Sequence, residues 1–325
     1  MYDLVEMMTY KRPQGSDTQK EFCYKYLEPI MGLPDKYGNY ILTVGNKPQV
    51  CFTAHHDTVH KTSGRQKLAV TKDGIVSLKR KSKGECLGAD CTTGIWLICN
   101  MINAKIPGVY VVHAEEEGGC VGSTALVKSD PQWLDDINYV ISFDRYGKKS
   151  VITHQMGRRT ASDKFAKLLA KTLELPLKPD PHGSYTDSNV YKSKVSECTN
   201  LSVGYYSQHS TEEKQDVVYA YKLLECLISA DWDQLQYYRD NTVIEMGSMY
   251  GDWYDDDDYF WGHPPRGYRY DINQTGDNRI YDMIVDYPEE VALLLEELGY
   301  TADELHEMLG IQDHGYINEY LERVS

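Results

Sequence analysis

The mostly apolar run at residues 108–113 stops abruptly at Glu115, Glu116 and Glu117, which are followed by Gly118. β-Branched and aromatic residues fill this run, as is typical of a buried strand. Open α/β sheets carry their sites at the carboxyl ends of their strands, so the run predicts an α/β fold with carboxylates at that edge. Of two adjacent carboxylates there, one can bind a metal while the other acts as general base.

A second strand-like run, residues 49–54, ends at His55, His56 and Asp57. Successive side chains of a strand alternate between its faces, so His55 and Asp57 point the same way. This spacing suits a metal-binding imidazole and a carboxylate that orients it. His56 points to the opposite face, where we expect it to be packed or exposed.

Asp90 lies in a glycine-flanked loop just before an apolar, helix-like stretch at residues 95–102. A carboxylate in such a place is well held for a role in a site. It is equally well placed to cap the helix, and the residues alone leave both interpretations open.

The acidic charge of the chain is concentrated at its carboxyl end. Residues 241–325 hold 20 acidic and 4 basic residues, which accounts for the whole formal net charge of −15. This shift predicts a domain boundary near Asn241, with one domain at 1–240 and an acidic, aromatic-rich helical module at 241–325. Residues 287–298 predict an amphipathic helix there. The module is either a helical appendage of the core or an acidic lid or docking module for a protein partner.

Composition excludes several classes of protein. The eight cysteines form no Cys-x-x-Cys pair, which favours buried free thiols over disulfides or a structural zinc site. The amino end has no basic leader followed by an apolar stretch, and no segment approaches the ~18 apolar residues of a membrane span. We therefore expect a cytoplasmic protein without a membrane partner. The acidic tail and the lack of a basic stripe argue against a nucleic-acid partner.

Five short motifs together resemble the co-catalytic zinc exopeptidase superfamily, which includes leucyl-aminopeptidase-like, tripeptidase-T-like and tetrahedral aminopeptidases. They follow the family's order and rough spacing, and they are Ala-His-His-Asp-Thr-Val (54–59), Leu-Gly-Ala-Asp (87–90), Ala-Glu-Glu-Glu-Gly (114–118), Ser-Phe-Asp (142–144) and Gln-His-Ser (208–210). The resemblance covers about residues 15–240. It implies a mixed, mostly parallel central sheet flanked by helices, in a catalytic domain at 1–240.

The resemblance also implies a set of metal ligands. Asp90 would bridge two zinc ions, for which cobalt or manganese are the expected substitutes. His55 and Asp144 would complete one site, and Glu116 and His209 the other. Two imidazoles and three carboxylates suit zinc on chemical grounds as well.

Further expectations concern the neighbours of these ligands. Asp57 would orient the ring of His55. Related enzymes carry a cis peptide after the bridging aspartate, so a cis bond is expected between Asp90 and Cys91. Cys91 itself stands where an acidic residue is common in the family.

The three consecutive glutamates leave a choice of register. In the family the acidic pair stands two residues before a glycine, and Gly118 therefore selects Glu115 and Glu116 rather than Glu116 and Glu117. On this basis Glu115 is expected to be the general base.

The family's inserted domains are absent from this chain. Tripeptidase-T-like relatives insert a domain after the position of Asp144, and the tetrahedral aminopeptidases insert one between the first two motifs. The resemblance thus implies a lidless core. Because the lid of carboxypeptidase-like relatives helps to bind the substrate carboxylate, its absence favours an aminopeptidase, although Arg158 or Arg159 would offer a substitute for that function.

Other residues are candidates for contacts with substrate. Residues 183–188 resemble the Gly-Thr-Asp loop of the family, in which Asp187 would contact the substrate amine, support the site from behind, or serve as a turn residue. The candidates for a hydroxyl that stabilises the tetrahedral oxyanion are Tyr185, Tyr205 and Tyr206. Ser210 and Glu213 predict a capping box for the helix after His209.

These features predict an aminopeptidase that cleaves peptides with a zinc-activated water. The alternatives are a carboxypeptidase, an amidohydrolase that removes the acyl group from an N-acyl amino acid, and a catalytically inactive binding domain on the same fold. The intact motifs argue against an inactive domain, because such a copy is free to lose its ligands.

Overall fold

The computed structural model describes residues 2–79, 85–129 and 131–241 and, beyond them, only Leu295. The described residues up to 241 belong to one compact unit. The boundary predicted near Asn241 falls at the end of this part of the chain and stays a prediction. Apart from Leu295, the helix predicted at 287–298 lies outside the described residues.

The elements are numbered here in chain order. The α-helices are α1 (Leu4–Met7), α2 (Asp17–Tyr26), α3 (Glu28–Met31), α4 (Ala89–Asn103), α5 (Val121–Ser129), α6 (Asp163–Thr172), α7 (Asp187–Val190) and α8 (Val217–Ser229), with 3-10 turns at Pro131–Leu134 and Trp232–Gln234. The first strands are β1 (Tyr10–Lys11), β2 (Tyr40–Val44), β3 (Val50–His55), β4 (Gly64–Arg65), β5 (Leu68–Val70), β6 (Ile75–Leu78), β7 (Gly108–His113) and β8 (Tyr139–Arg145). The later strands are β9 (Ser150–Ile152), β10 (His154–Gln155), β11 (Arg158–Arg159), β12 (Lys178–Asp180), β13 (Glu197–Ser202), β14 (Tyr205–Tyr206) and β15 (Lys214–Asp216).

A seven-stranded sheet forms the centre of the described structure, in the order β12-β9-β13-β8-β3-β7-β2. The pairs β12/β9, β13/β8, β8/β3 and β3/β7 are parallel. The pairs β13/β9 and β2/β7 are antiparallel. This is the mixed, mostly parallel sheet that the resemblance implied.

The central strands are buried on both faces, which explains why they are nearly continuous apolar runs in the sequence. Phe52 and Ala54 of β3 belong to one apolar cluster, while Cys51, whose side chain points to the opposite face of the strand, belongs to a second. The first cluster also holds residues of α1, α2, α4, α6 and α8. The second holds Leu126 of α5 and Tyr191, just after α7. The sheet therefore lies between two apolar layers, as in other α/β folds.

Helix α4 packs directly against β3 and β8, and a glycine makes this close approach possible. A Cβ atom at Gly94 would lie 2.4 Å from the carbonyl oxygen of Phe143 in β8. The side chains of α4 from Ala89 to Ile102 are buried, so this apolar helix is a central part of the core rather than a surface element. Its first turn is thereby held at the carboxyl edge of the sheet.

A smaller antiparallel sheet, in the order β14-β15-β6-β5, adjoins the segment that carries His209. Strands β5 and β6 pair on either side of the Asp73-Gly74 turn, where Gly74 has a φ of 78°, as the Asp-Gly signal predicts. Between Asp144 and α6 the described residues form only the short strands β9–β11, without an inserted domain.

The predicted capping box after His209 is wrong. Helix α8 begins at Val217, where the Asp216 carboxylate accepts a hydrogen bond from the Tyr219 amide at 2.9 Å. Ser210 instead accepts from Glu212 N at 3.2 Å, inside a turn that precedes β15. A capping box requires the helix to start at the cap residue, and here a strand intervenes.

All eight cysteines are free thiols, and only Cys226 is partly exposed, in agreement with the prediction of buried thiols. Within the described residues, no helix combines the length and the apolar character that crossing a bilayer requires.

Candidate metal centre

The parallel strands β7, β3 and β8 end at one edge of the central sheet. In the register of these strands His55 lies beside His113, and Thr53 lies beside Ser142. Asp144, two residues after Ser142, is therefore level with His55. This edge brings together the residues that follow the apolar runs of the sequence.

His55 is buried and faces carboxylates on both sides of its ring. Its Nε2 atom lies 3.1 Å from Asp90 Oδ1, 3.5 Å from Asp144 Oδ1 and 3.8 Å from Glu116 Oε2. Its Nδ1 atom lies 3.5 Å from Asp57 Oδ1. Burial alone would lower the pKa of His55, but the surrounding acidic groups raise it well above its usual value. The predicted pairing of His55 with Asp57 is thus present in the structure.

Asp90 lies between the two histidines that the sequence singled out. Its Oδ1 atom is 3.1 Å from His55 Nε2, and its Oδ2 atom is 3.2 Å from His209 Nε2. Although burial opposes ionisation, hydrogen bonds with the two histidines hold the pKa of Asp90 below its usual range. The peptide bond between Asp90 and Cys91 is cis, as expected. One carboxylate that faces two imidazoles is the arrangement a bridging ligand requires.

The acidic pair differs by one residue from the predicted register. Glu117, rather than Glu116, contacts His209, with 3.1 Å between Glu117 Oε2 and His209 Nε2. Asp90, Glu117 and His209 form one group of potential metal ligands, and Glu116 faces His55 instead. The structure thus brings Glu117, and not the predicted Glu116, into contact with His209. Glu115 belongs to none of the potential ligand groups among the described residues.

The backbone after β7 explains this shift. Glu115 has a φ of 56°, in the left-handed region, so the chain turns sharply directly after the strand. The amides of Glu116 and Glu117 then donate to the two carboxylate oxygens of Asp57, each at 3.1 Å. The turn and these two bonds direct Glu116 and Glu117 to the centre.

Asp144 is held by neighbouring strands. Asn200 of β13 accepts from Asp144 N at 2.9 Å and donates to Asp144 O at 2.8 Å. The Tyr205 hydroxyl donates to Asp144 Oδ1 at 3.3 Å, and Tyr205 is only 2% exposed. Burial and the neighbouring Asp90 raise the pKa of Asp144 to about 8. The hydroxyl of Tyr205 is therefore used on a carboxylate of the centre, which departs from the predicted role on the oxyanion.

The other predicted substrate-binding residues lie on two adjoining segments and on β14. The β10–β11 hairpin carries Arg158, and Met156 N of this hairpin donates to Gly183 O at 3.1 Å. Gly183 begins the loop that carries Tyr185, whose side chain is exposed. Tyr206 is half-buried on β14. Their contacts with substrate remain predictions.

Asp187 begins α7 and is 1% exposed, which is too little for a turn residue at the surface. Its Oδ1 atom has no hydrogen-bond partner. Burial raises the pKa of Asp187 to about 7, although hydrogen bonds from Ser123 and Cys120 and the charge of His55 oppose the shift. The structure therefore places this carboxylate in the protein interior, close enough to His55 to interact with its charge.

Glu213 also belongs to this region, and its role differs from the predicted one in a helix capping box. Its carboxylate is 1% exposed and accepts hydrogen bonds from the backbone amides of residues 87–90, the loop that carries Asp90. Burial raises the pKa of Glu213 to about 7, although the hydrogen bonds from these amides act to lower it. The spacing from Ser210 suggested a helix cap, and nothing local in the sequence points to a partner more than 120 residues earlier.

The residues present fit a metal centre. Two imidazoles and four carboxylates face one another at the sheet edge, and these are the nitrogen and oxygen donors that zinc takes. Burial raises the pKa values of Glu116 and Glu117. The negative charges of these closely spaced carboxylates are therefore not balanced in the metal-free protein, and bound cations would balance them. Cys91 lies near His55 and Asp144, but its thiol donates to Phe143 O at 3.2 Å.

Fold and centre together define the class of metal-dependent hydrolases with an α/β core. The chain belongs to peptidase family M28, because the model of that family matches residues 39–287. It is thereby a metallopeptidase of the exopeptidase kind, as the resemblance implied. No curated protein matches the sequence significantly.

Solved structures show the same fold. Aminopeptidase PepT from Bacillus cereus ATCC 10987 aligns with a TM-score of 0.56 at 15% identity, over 70% of this chain and 95% of that chain. A tripeptidase from Staphylococcus aureus aligns at 0.55 and 13% identity, over 70% and 95%. The TET1 peptidase of Pyrococcus horikoshii aligns at 0.52 and 16% identity, over 70% and 98%.

Proposed function

We propose that this chain is an aminopeptidase that uses two zinc ions to remove single residues from the amino end of peptides. The observation that carries the proposal is the position of Asp90, whose two oxygens face His55 and His209. The structural relatives include an aminopeptidase and a tripeptidase, which supports the same activity.

The ligands of the proposal follow the geometry. Asp90 would be shared between the two ions, His55 and Asp144 would hold one, and Glu117 and His209 would hold the other. When bound, the ions supply Lewis-acid chemistry that polarises the scissile carbonyl and acidifies water. Cobalt or manganese are the expected substitutes for zinc.

Glu116 is the general base of the proposal, in place of Glu115. Its carboxylate lies 3.8 Å from His55 Nε2. It is not part of the group of potential metal ligands that contains His209. Burial and the neighbouring Asp144 raise the pKa of Glu116 well above its usual range, which suits a group that accepts and returns a proton. Glu116 takes a proton from the attacking water and delivers it to the departing amine.

Other side chains prepare the site. Asp57 holds the ring of His55 from the Nδ1 side and holds the backbone of Glu116, so one carboxylate orients a ligand and the base. Asp187 acts from beneath the site rather than on the substrate amine, because it is buried. Tyr185 and Tyr206 remain the candidate hydroxyls for the oxyanion.

Two other activities fit the same centre. A carboxypeptidase would need a cation for the substrate carboxylate, which Arg158 or Arg159 of the β10–β11 hairpin would supply. An amidohydrolase would act on an N-acyl amino acid.

For the cell, we propose a cytoplasmic enzyme, and the eight free cysteines support this location because disulfides are rare there.

The test is a mixed peptide library with free and blocked ends, incubated with the zinc-loaded protein and analysed by mass spectrometry. Parallel reactions contain a chelator or the Glu116→Ala variant. We expect chelator-sensitive loss of single amino-terminal residues from peptides with free ends, and no loss with the variant. Trimming from the carboxyl end would refute the aminopeptidase activity and identify a carboxypeptidase instead. No peptide cleavage would refute both and favour the amidohydrolase or an inactive domain.

A further inference from the structure

One buried carboxylate holds the whole loop that presents Asp90. Glu213 Oε2 accepts from Leu87 N at 2.8 Å and from Gly88 N at 2.9 Å. Glu213 Oε1 accepts from Ala89 N at 2.9 Å and from Asp90 N at 3.2 Å. Both oxygens are thus saturated by consecutive backbone amides of one short loop.

Glu213 bonds the four amides of this loop, while on the carbonyl side Gln66 donates to Leu87 O at 2.8 Å. Gly88 has a φ of 69°, so the backbone just before α4 is not helical and its amides are not satisfied by the helix. A Cβ atom at Gly88 would lie 2.7 Å from the His60 ring, so the loop is also packed closely. Without Glu213, consecutive amides would be buried and unpaired, which is costly.

Glu213 is itself tied to the other histidine of the centre. It follows His209 by four residues, and its amide donates to Ser210 O at 3.2 Å in the intervening turn. The next residue, Lys214, begins β15 and pairs with Ser77 of β6. The turn that carries His209 therefore ends at Glu213, which is bonded to the Asp90 loop and directly precedes strand β15 of the small sheet.

We propose that Glu213 is a positioning residue that sets the separation of Asp90 and His209 and thereby the metal affinity of the centre. This inference rests on the proposed function in that it takes Asp90 and His209 as metal ligands. The carboxylate does not touch the ligand atoms. It acts through the backbone on which Asp90 stands and through the turn that presents His209.

The test compares Glu213→Gln with a matched variant elsewhere. A glutamine keeps one acceptor oxygen and turns its amide group toward two backbone donors, so at least two of the four bonds are lost. The matched control is Glu197→Gln at the start of β13. Glu197 is also buried, and it accepts four hydrogen bonds from Ser162, Tyr238 and Arg239. It lies at the opposite end of its strand from Asn200 and the centre.

The measurement is zinc affinity by competition with a chromophoric chelator, together with the visible absorption spectrum of the cobalt-substituted protein. We expect Glu213→Gln to weaken zinc binding about 10- to 100-fold and to alter the cobalt spectrum. Glu197→Gln should lower thermal stability in chelator but leave both metal readouts as in the unsubstituted protein. Glu213→Asp, which keeps the charge but is one methylene shorter, should weaken zinc binding as well, and it serves if the glutamine variant does not fold.

The outcomes separate the two proposals. If the unsubstituted protein binds zinc and both Glu213 variants bind it equally well, Glu213 has only a structural role and the inference is overturned. If the unsubstituted protein binds neither zinc nor cobalt, the proposed function itself fails. An equal loss of affinity in Glu197→Gln would also overturn the inference, since general destabilisation would then explain the effect.

Discussion

Asp57 shows how much of the centre depends on single side chains. Its carboxylate faces His55 Nδ1 at 3.5 Å and accepts the amides of Glu116 and Glu117 at 3.1 Å each. It has almost no exposure to solvent. Hydrogen bonds from His55 and the backbone lower its pKa despite burial, so it remains a carboxylate with all of its acceptors available.

The register of the acidic pair leads to a direct prediction at this scale. Glu116→Gln should lower kcat about 10²- to 10⁴-fold, the usual contribution of a general base, with little change in KM. Glu115→Gln should change kcat by no more than a few-fold, since Glu115 belongs to no ligand group of the centre. Steady-state kinetics on a peptide identified in the library experiment measure both. A large loss in Glu115→Gln with a small loss in Glu116→Gln would restore the register expected from the sequence.

Among the elements, helix α4 and the segment before α8 carry the residues that meet at the centre. Helix α4 presents Asp90 from its first turn while its apolar side chains are buried against the sheet. The segment from Ser207 to Asp216 is not a helix, contrary to the sequence pattern, and it contains a turn and a strand. The positive φ of His209, 59°, belongs to that turn.

The start of α8 gives a prediction at the scale of elements. Asp216→Ala removes the cap oxygen that accepts from Tyr219 N and should lower the free energy of unfolding by about 1 kcal/mol. Asp216→Asn keeps the cap oxygen and should recover most of this loss. Ser210→Ala should have an effect within about 0.5 kcal/mol, because Ser210 caps no helix. Urea unfolding of the three variants in chelator measures these differences, and a larger effect at Ser210 than at Asp216 would contradict the assigned helix start.

At the scale of the whole molecule, buried charge at one edge of the sheet governs how stability responds to pH and metal. In the metal-free protein the pKa values of Glu116, Glu117 and Asp144 are raised, mainly by burial. Hydrogen bonds with Asp90 and Glu117 raise the pKa of His209 to about 11. Glu116, Glu117 and Asp144 therefore hold more protons in the folded chain than in the unfolded chain above about pH 4, and His209 does so above about pH 6.5.

The sign of the pH effect follows from this excess of protons. Stability of the metal-free protein should fall as pH rises from about 6.5 to 8, because the folded chain must then lose protons that the unfolded chain has already lost. Below this range the buried His56, His60 and His113, whose pKa values burial lowers, act in the opposite direction. Zinc displaces these protons, so its stabilising effect should grow over the same range. Thermal unfolding with chelator and with excess zinc at several pH values measures both. Higher stability of the chelated protein at about pH 8 than at about pH 6.5 would contradict the raised pKa values of these groups.

The acidic carboxyl-terminal residues give a second prediction at this scale. Residues 241–325 hold 20 acidic residues, and we propose that this negative charge disfavours the binding of anionic peptides. Deletion of residues 245–325 should then change the range of peptides cleaved, with anionic peptides gaining most. Comparison of library cleavage by the full and shortened proteins measures this. An unchanged profile with altered solubility alone would refute the proposal.

Local patterns were sufficient for the elements and for part of the centre. The strands β3 and β7 follow from their apolar runs, and the alternation of side chains places His55 beside Asp57. The apolar length of α4 and the loop before it place Asp90 at a helix start. These features depend on neighbours within a few residues, so the sequence carries them directly.

The remaining assignments depended on contacts between distant parts of the chain. Asp57 lies 59 residues before Glu116 and fixes the turn that selects Glu116 and Glu117. Glu213 lies 123 residues after Asp90, and Tyr205 lies 61 residues after Asp144. The neighbouring residues in the sequence are the same whether such a side chain caps a helix, faces an oxyanion or holds a loop. The local sequence therefore does not distinguish these roles.

By itself, then, the sequence determined an α/β chain with a family's five motifs and the residue types of a zinc centre. Only the tertiary structure decided which glutamate faces which histidine and which buried groups hold the ligands in place. The physical reason is that strand and helix periodicities are local, whereas the direction of a side chain after a turn depends on the hydrogen bonds that distant residues offer to that turn.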